Sequence, residues 1–229
     1  MKIGGLQKVS LIDYPGRISA VLFTQGCNFR CPYCHNPELV DPTRYGETLS
    51  EKKVLAYLEK RRGRLDAVTL SGGEPTLQPD LLSFTGRIRE KGYLIKVDTN
   101  GSRPDVLEKL FSAGFVDYLA MDIKGPPEKY KHITNSDIQM ETIRRSIQLI
   151  IASGVEYEFR TTVVKTLLNG EDFSEIAKLI NPARLFVLQA FVPTKALEAR
   201  YLRGMFFTRD EIEQIRRSIE KDLSCIMIR

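Results

Sequence analysis

Cys27, Cys31 and Cys34 are the side chains best suited to chemistry in this chain of 229 residues. They stand as C-N-F-R-C-P-Y-C just after the apolar run ISAVLFT. Three thiolates can hold three corners of a [4Fe–4S] cube and leave the fourth iron open. An open iron can bind and activate another molecule, whereas a cube with four thiolates mostly carries electrons. Cys225 lies near the far end, so nothing local supplies a fourth thiolate. The cysteines alone leave two other readings open. One is zinc with His35 as fourth donor, although the spacing departs from a paired-cysteine knuckle; the other is buried thiols without metal. A disulfide framework suits such crowding less well than thiolate ligation.

A second motif, Ser71-Gly72-Gly73-Glu74-Pro75, ends the next apolar run. Adjacent glycines permit close backbone approach and φ angles that larger residues avoid. Glu74 offers an acceptor for a cationic amine, and Pro75 stiffens the exit. By itself the motif fits a tight turn with a surface acid equally well.

Groups this far apart in sequence need elements that end together. Strands are predicted for ISAVLFT from Ile18, DAVTLS from Asp66, YLIKVDT from Tyr93, VDYLAMDI from Val116, YEFRTTVV from Tyr157 and LFVLQAF from Leu185. Helical patterns fall near 50–61, 79–91, 103–113, 138–152, 171–180 and 209–222; the last carries Ile212, Ile215 and Ile219 on one stripe. Ser50, and Asp210 before Glu211, are helix-start candidates. Alternation implies parallel strands joined by right-handed crossovers. The chemically interesting residues fall at C-terminal strand ends, as on a barrel's active face. A full eight-stranded barrel typically takes about 250 residues. The expected fold is therefore α/β, a partial (βα)6 TIM-like barrel with its cluster-binding loop after the first core strand. One domain spans 1–229: an N-terminal lid or edge segment over 1–17, the barrel core over 18–190, and a C-terminal loop and helix over 191–229. Within SLIDYPG, Tyr14-Pro15-Gly16 reads as a turn.

Composition excludes little else. The net charge of +5 is no nucleic-acid signature, and Lys60, Arg61, Arg62 and Arg64 lack interleaved aromatics, so nucleic acid is not expected as a partner. No run approaches the roughly 18 apolar residues of a membrane span, and the N-terminus lacks a secretory pattern, so the cytoplasm is expected.

Together, C-N-F-R-C-P-Y-C and S-G-G-E-P resemble the radical S-adenosylmethionine (SAM) superfamily. That resemblance implies a [4Fe–4S] cluster on Cys27, Cys31 and Cys34, with SAM's amino and carboxylate groups on the fourth iron. Tyr33 resembles the aromatic that precedes the last cysteine, and Gly72, Gly73, Glu74 and Pro75 the segment that contacts the methionine amino group. D-T-N-G from Asp98 and M-D-I-K from Met121 resemble cofactor-pocket segments of the glycyl-radical-enzyme activases. With SLIDYPG and HNPELV, the pattern is most similar to activating proteins of anaerobic ribonucleoside-triphosphate reductases, in a longer variant with one cluster.

The residues carry separate physical arguments. Strand alternation puts Asp98 and Asn100 on one side, where Asp98 can accept from ribose hydroxyls or an amine, or stand as a strand-end acid. Asp122 and Lys124 share a face as a paired charge beside a ligand or as a structural ion pair. Arg160, inside an apolar strand, needs a partner: a cofactor carboxylate or a nearby acid. Gln189 contacts adenosine or caps a strand end. The family's additional histidine contact in the last strand region has no counterpart here. His35 suits local hydrogen bonding in the cluster loop, and His132 a surface or loop position. The implied reaction starts with an external one-electron donor. Reductive cleavage of SAM gives a 5′-deoxyadenosyl radical, which takes hydrogen from a glycine of the partner enzyme. Activation of another glycyl radical enzyme, radical modification of a small molecule or RNA, and a non-enzymatic iron–sulfur or metal-binding scaffold are the alternatives. In PTKALEARYLRGMFF, residues Arg200, Arg203, Phe206 and Phe207 either help dock that partner or pack onto the last helix.

Overall fold

Each apolar run expected to be a strand forms one. In the computed structural model, which describes residues 1–229, these are β2 (Ser19–Thr24), β3 (Ala67–Gly72), β4 (Leu94–Thr99), β5 (Tyr118–Asp122), β6 (Glu156–Val163) and β7 (Phe186–Ala190). Two edge strands extend them. The first, β1 (Ile3–Ser10), runs antiparallel to β2 with Leu6 opposite Leu22. The last, β8 (Ile226–Ile228), runs parallel to β7 with Met227 opposite Val187. The sheet follows chain order from β1 to β8 and its two edges do not pair, so the barrel stays open.

The helices are α1 (Pro37–Val40), α2 (Glu51–Lys60), α3 (Leu81–Arg89), α4 (Pro104–Ser112), α5 (Tyr130–Thr134), α6 (Met140–Ala152), α7 (Gly170–Ile180) and α8 (Arg209–Ile219). Ser50 caps α2 by accepting from the Lys53 N–H. The start of α8 is set by Thr208 rather than by the expected Asp210, through a reciprocal cap with Glu211; Ile212, Ile215 and Ile219 are its buried stripe. Forty-seven buried residues form one continuous core between sheet and helices. The basic residues Lys60, Arg62 and Arg64, at the end of α2, face water.

SLIDYPG follows β1 and turns at the N-terminal end of the parallel strands, with Ser10 opposite Ser19. Gly16 takes φ +67° and the Arg17 N–H donates to the Tyr14 carbonyl, closing the expected turn. The loop is also a plug: Lys96 Nζ donates to the Asp13 carbonyl at 2.6 Å, and buried Tyr14 packs on Tyr118 with ring centroids 5.7 Å apart.

Candidate active site

A cavity of about 280 Å³ takes in the C-terminal ends of the parallel strands and brings together almost every residue singled out in the sequence. Its wall includes Cys27, Cys31, Tyr33, Cys34, Gly72, Gly73, Glu74, Asp98, Asn100, Asp122, Lys124, Arg160 and Gln189. Pro75 does not line it; this buried residue opens a single 3-10 turn over Pro75–Leu77, where Glu74 serves as the cap. Cys225 lies elsewhere, exposed ahead of β8, its carbonyl accepting from the Phe186 N–H.

The glycine pair supports the cysteine loop directly. Gly73 donates to the Thr24 carbonyl at 2.9 Å and Glu74 to the Gly26 carbonyl at 2.8 Å. A Cβ on Gly73 would lie 2.1 Å from that Gly26 oxygen, and one on Gly72, at φ +110°, 2.4 Å from the Thr24 nitrogen. Only residues without a side chain fit between the end of β3 and the loop that follows β2. The Phe29 N–H points to Cys27 Sγ at 3.3 Å, and the Arg30 guanidinium ties down the Cys27 and Phe29 carbonyls at 2.7 and 2.8 Å.

Burial, with the Glu74 charge, pushes the Cys27 thiol up to about 12; burial also pushes Cys31 to about 11, against the pull of Lys124. Such thiols stay neutral until a cationic centre displaces their protons. The three thiols share one cavity wall. His35, the donor a zinc site would recruit, places Nε2 3.0 Å from the Val192 carbonyl and stacks on Phe191 at 5.0 Å. The donor set and the glycine cradle fit an iron–sulfur cluster.

Glu74 is used differently from the sequence expectation. It is buried, and its carboxylate accepts from the Thr76 N–H at 3.0 Å, the Thr76 and Thr99 hydroxyls at 2.5 and 2.8 Å, and the Asn100 N–H at 2.6 Å. Burial raises its pKa, while these donors oppose the rise. The side chain braces the end of β3 against the end of β4, so a ligand amine would compete with four internal donors.

The remaining charges form a knot across β4, β5 and β6. Arg160 Nε donates to Asp122 at 2.9 Å, and its guanidinium lies 3.5 Å from Asp98. Lys124 donates to Asp122 at 3.0 Å, Lys96 lies 2.8 Å from Asp98, and Ser71 donates to Asp98 at 2.9 Å. Burial works against ionising both aspartates. The Arg160 and Lys124 charges nevertheless hold Asp122 well below the carboxylate range, and Arg160 and Lys96 lower Asp98. Lys96 was missed in the sequence, although alternation along YLIKVDTN puts it on the Asp98 side, and Ser71 was read only as the start of the glycine motif. Glu158 was missed too: fully buried, it accepts from Tyr118 and from both Arg229 terminal nitrogens. Asn100 Nδ2 donates to Asn28 at 2.9 Å. Tyr33 meets Phe191 edge-on at 6.2 Å, and its buried hydroxyl has no partner. Gln189 is exposed on the rim. His132 sits exposed on α5, away from this cavity.

The sequence profile of the Radical SAM superfamily matches residues 21–183, spanning the cysteine loop, the glycine pair and the charge knot. The chain belongs to the radical SAM superfamily. Members use a [4Fe–4S] cluster and SAM, the pair this wall of thiols, glycines and buried charge accommodates. Among relatives, a Methanocaldococcus jannaschii protein named as a glycyl-radical enzyme activating enzyme is 34% identical over 99% of this chain and 95% of its own. The pyruvate formate-lyase-activating enzyme of Clostridium pasteurianum is 30% identical over 80% of this chain and 77% of its own. The fold matches that of Streptococcus suis SuiB, solved with SAM bound, at a TM-score of 0.68 and 12% identity, covering 90% of this chain and 51% of that one. No helix is long and apolar enough to cross a membrane.

Proposed function

We propose that this radical SAM enzyme is a glycyl-radical enzyme activase and that its cytoplasmic partner is an anaerobic ribonucleoside-triphosphate reductase. The observation that carries the activase reading is the single cavity where three thiols, a glycine cradle and a buried acid–cation knot meet, in a chain matching a named activase from end to end. The reductase is favoured by SLIDYPG and HNPELV, which resemble the activating proteins of such enzymes. The Clostridium relative supports a second reading, a pyruvate formate-lyase partner.

Cys27, Cys31 and Cys34 would hold the cluster. When bound, and reduced by an external donor, the cluster supplies the electron that splits SAM into methionine and a 5′-deoxyadenosyl radical able to take a glycine hydrogen. Gly72 and Gly73 keep side chains out of the floor beneath the cysteine loop. Asp98, ionised beside Lys96 and Arg160, can accept from ribose hydroxyls; Lys124 and Arg160 offer positive charge to the methionyl carboxylate. Asp122 fixes both cations, and the Asp13–Lys96 contact closes the floor against water. No residue need act as a general acid or base.

The test is anaerobic turnover with a reductase whose glycines are deuterated. Deuterium in 5′-deoxyadenosine and a glycyl EPR doublet in the reductase are expected. SAM cleavage without transfer from the reductase would remove that partner, and transfer from pyruvate formate-lyase alone would select the second reading.

A further inference from the structure

Beside the active cavity runs a second hollow of about 450 Å³, built from loops after β5, β6 and β7, on the same face of the barrel. Its floor is apolar, with Val164, Leu167 and Tyr201, and its rim carries Arg200 and Arg203 with no Asp or Glu. Arg200 pairs with Glu198 outside the hollow, while Arg203 makes no ion pair. Met205 is 71% exposed and Phe206 36%, an apolar pair that water alone covers poorly. The sequence left Phe206 and Phe207 as a pair, but the fold separates them. Phe207 packs on Phe173, while Phe206 leans on Phe191 at 5.9 Å. Phe191 in turn meets Tyr33, on the wall of the active cavity, at 6.2 Å. Phe191 also lines the hollow, so one ring contact separates the hollow from the wall of the active cavity, a span of about two residues of extended chain at roughly 3.3 Å each.

We infer that this hollow docks an extended acidic segment of the radical-accepting partner, flanking the glycine that enters the cavity. The inference rests on the activase reading and adds to it the surface that captures the partner. Acidic side chains answer the Arg200 and Arg203 rim, and an apolar side chain between them covers Met205 and Phe206.

The test uses the reconstituted enzyme and its Arg203→Glu/Met205→Glu double variant, both positions being exposed and outside the cavity. Partner-free SAM cleavage with dithionite is expected to be unchanged. The KM for the reductase should rise about 10-fold with kcat within twofold. Added salt should weaken the wild type and not the variant. Equal KM values in a wild type that does charge the reductase would overturn the docking surface alone. A wild type that charges a glycine in neither the reductase nor pyruvate formate-lyase would overturn the activase reading and the docking surface with it. Loss of partner-free cleavage in the variant would show a structural role and overturn the docking surface.

Discussion

Gly73 has no room for even a methyl group, because its missing Cβ would sit 2.1 Å from the backbone oxygen of Gly26. The clash falls on backbone, so Gly73→Ala must lift the cysteine loop from the end of β3. Overpacking of this kind costs about 1–3 kcal/mol. Calorimetry should show Tm lowered by about 3–10 °C, with SAM cleavage lost beyond that, while Gly46→Ala, with nothing within 4 Å, leaves both unchanged. Glu74→Gln should cost about 1–3 kcal/mol, since an amide cannot accept from all four donors; denaturant unfolding would measure it. The cysteines and glycines were legible in sequence because their chemistry depends on residue type and local spacing. The bracing role of Glu74 was not, because Thr99 and Asn100 reach it from the next strand.

Inward positions alternate along β4 and β6, so Lys96 and Asp98 on one strand face Glu158 and Arg160 on the other. Alternation was readable and marked Asp98, while Arg160 stood out as a charge inside an apolar strand. Alternation also set Lys96 beside Asp98, 2.8 Å away, a pairing the sequence reading passed over; its second partner, a carbonyl in the loop after β1, is met only when the sheet curls. Lys96→Met should raise the KM for SAM about 10-fold by loosening Asp98, and Lys96→Arg should recover part of that loss; steady-state cleavage assays decide it. Asp98 and Asp122 have folded pKa values below their unfolded ones. Their stabilisation is thus present above the ordinary carboxylate range and disappears as pH falls through the folded values. Removing the cation they share leaves each with one lysine and weakens that depression. Arg160→Met should lose about 3–5 kcal/mol at pH 7, and its deficit against wild type should shrink on acidification towards pH ~4 as the stranded carboxyls take up protons. Urea titrations at several pH values would show it.

At the level of the whole molecule, six predicted strands became eight. The alternation of strands and helices made the parallel order and the open barrel readable. The first edge was expected only as a lid or edge segment over 1–17, because β1 has glycines and burial at its ends alone; the far edge was hidden, since β8 has three residues and exists only through pairing with β7. The far edge is held by Arg229, which clamps fully buried Glu158 at 2.7 and 2.8 Å. Arg229→Gln strands that carboxylate and should cost about 3 kcal/mol, seen as a Tm drop of about 6–10 °C with partner-free chemistry retained below the transition.

Everything proposed for this molecule requires a cube with one iron free of protein ligands. Mössbauer spectroscopy of the 57Fe-reconstituted enzyme, before and after SAM addition, probes that requirement directly. One iron in four should shift its signal when SAM binds, and Cys27→Ser, Cys31→Ser and Cys34→Ser should each lose the cube. Four irons indifferent to SAM, or a site that takes up zinc and no iron, would contradict it.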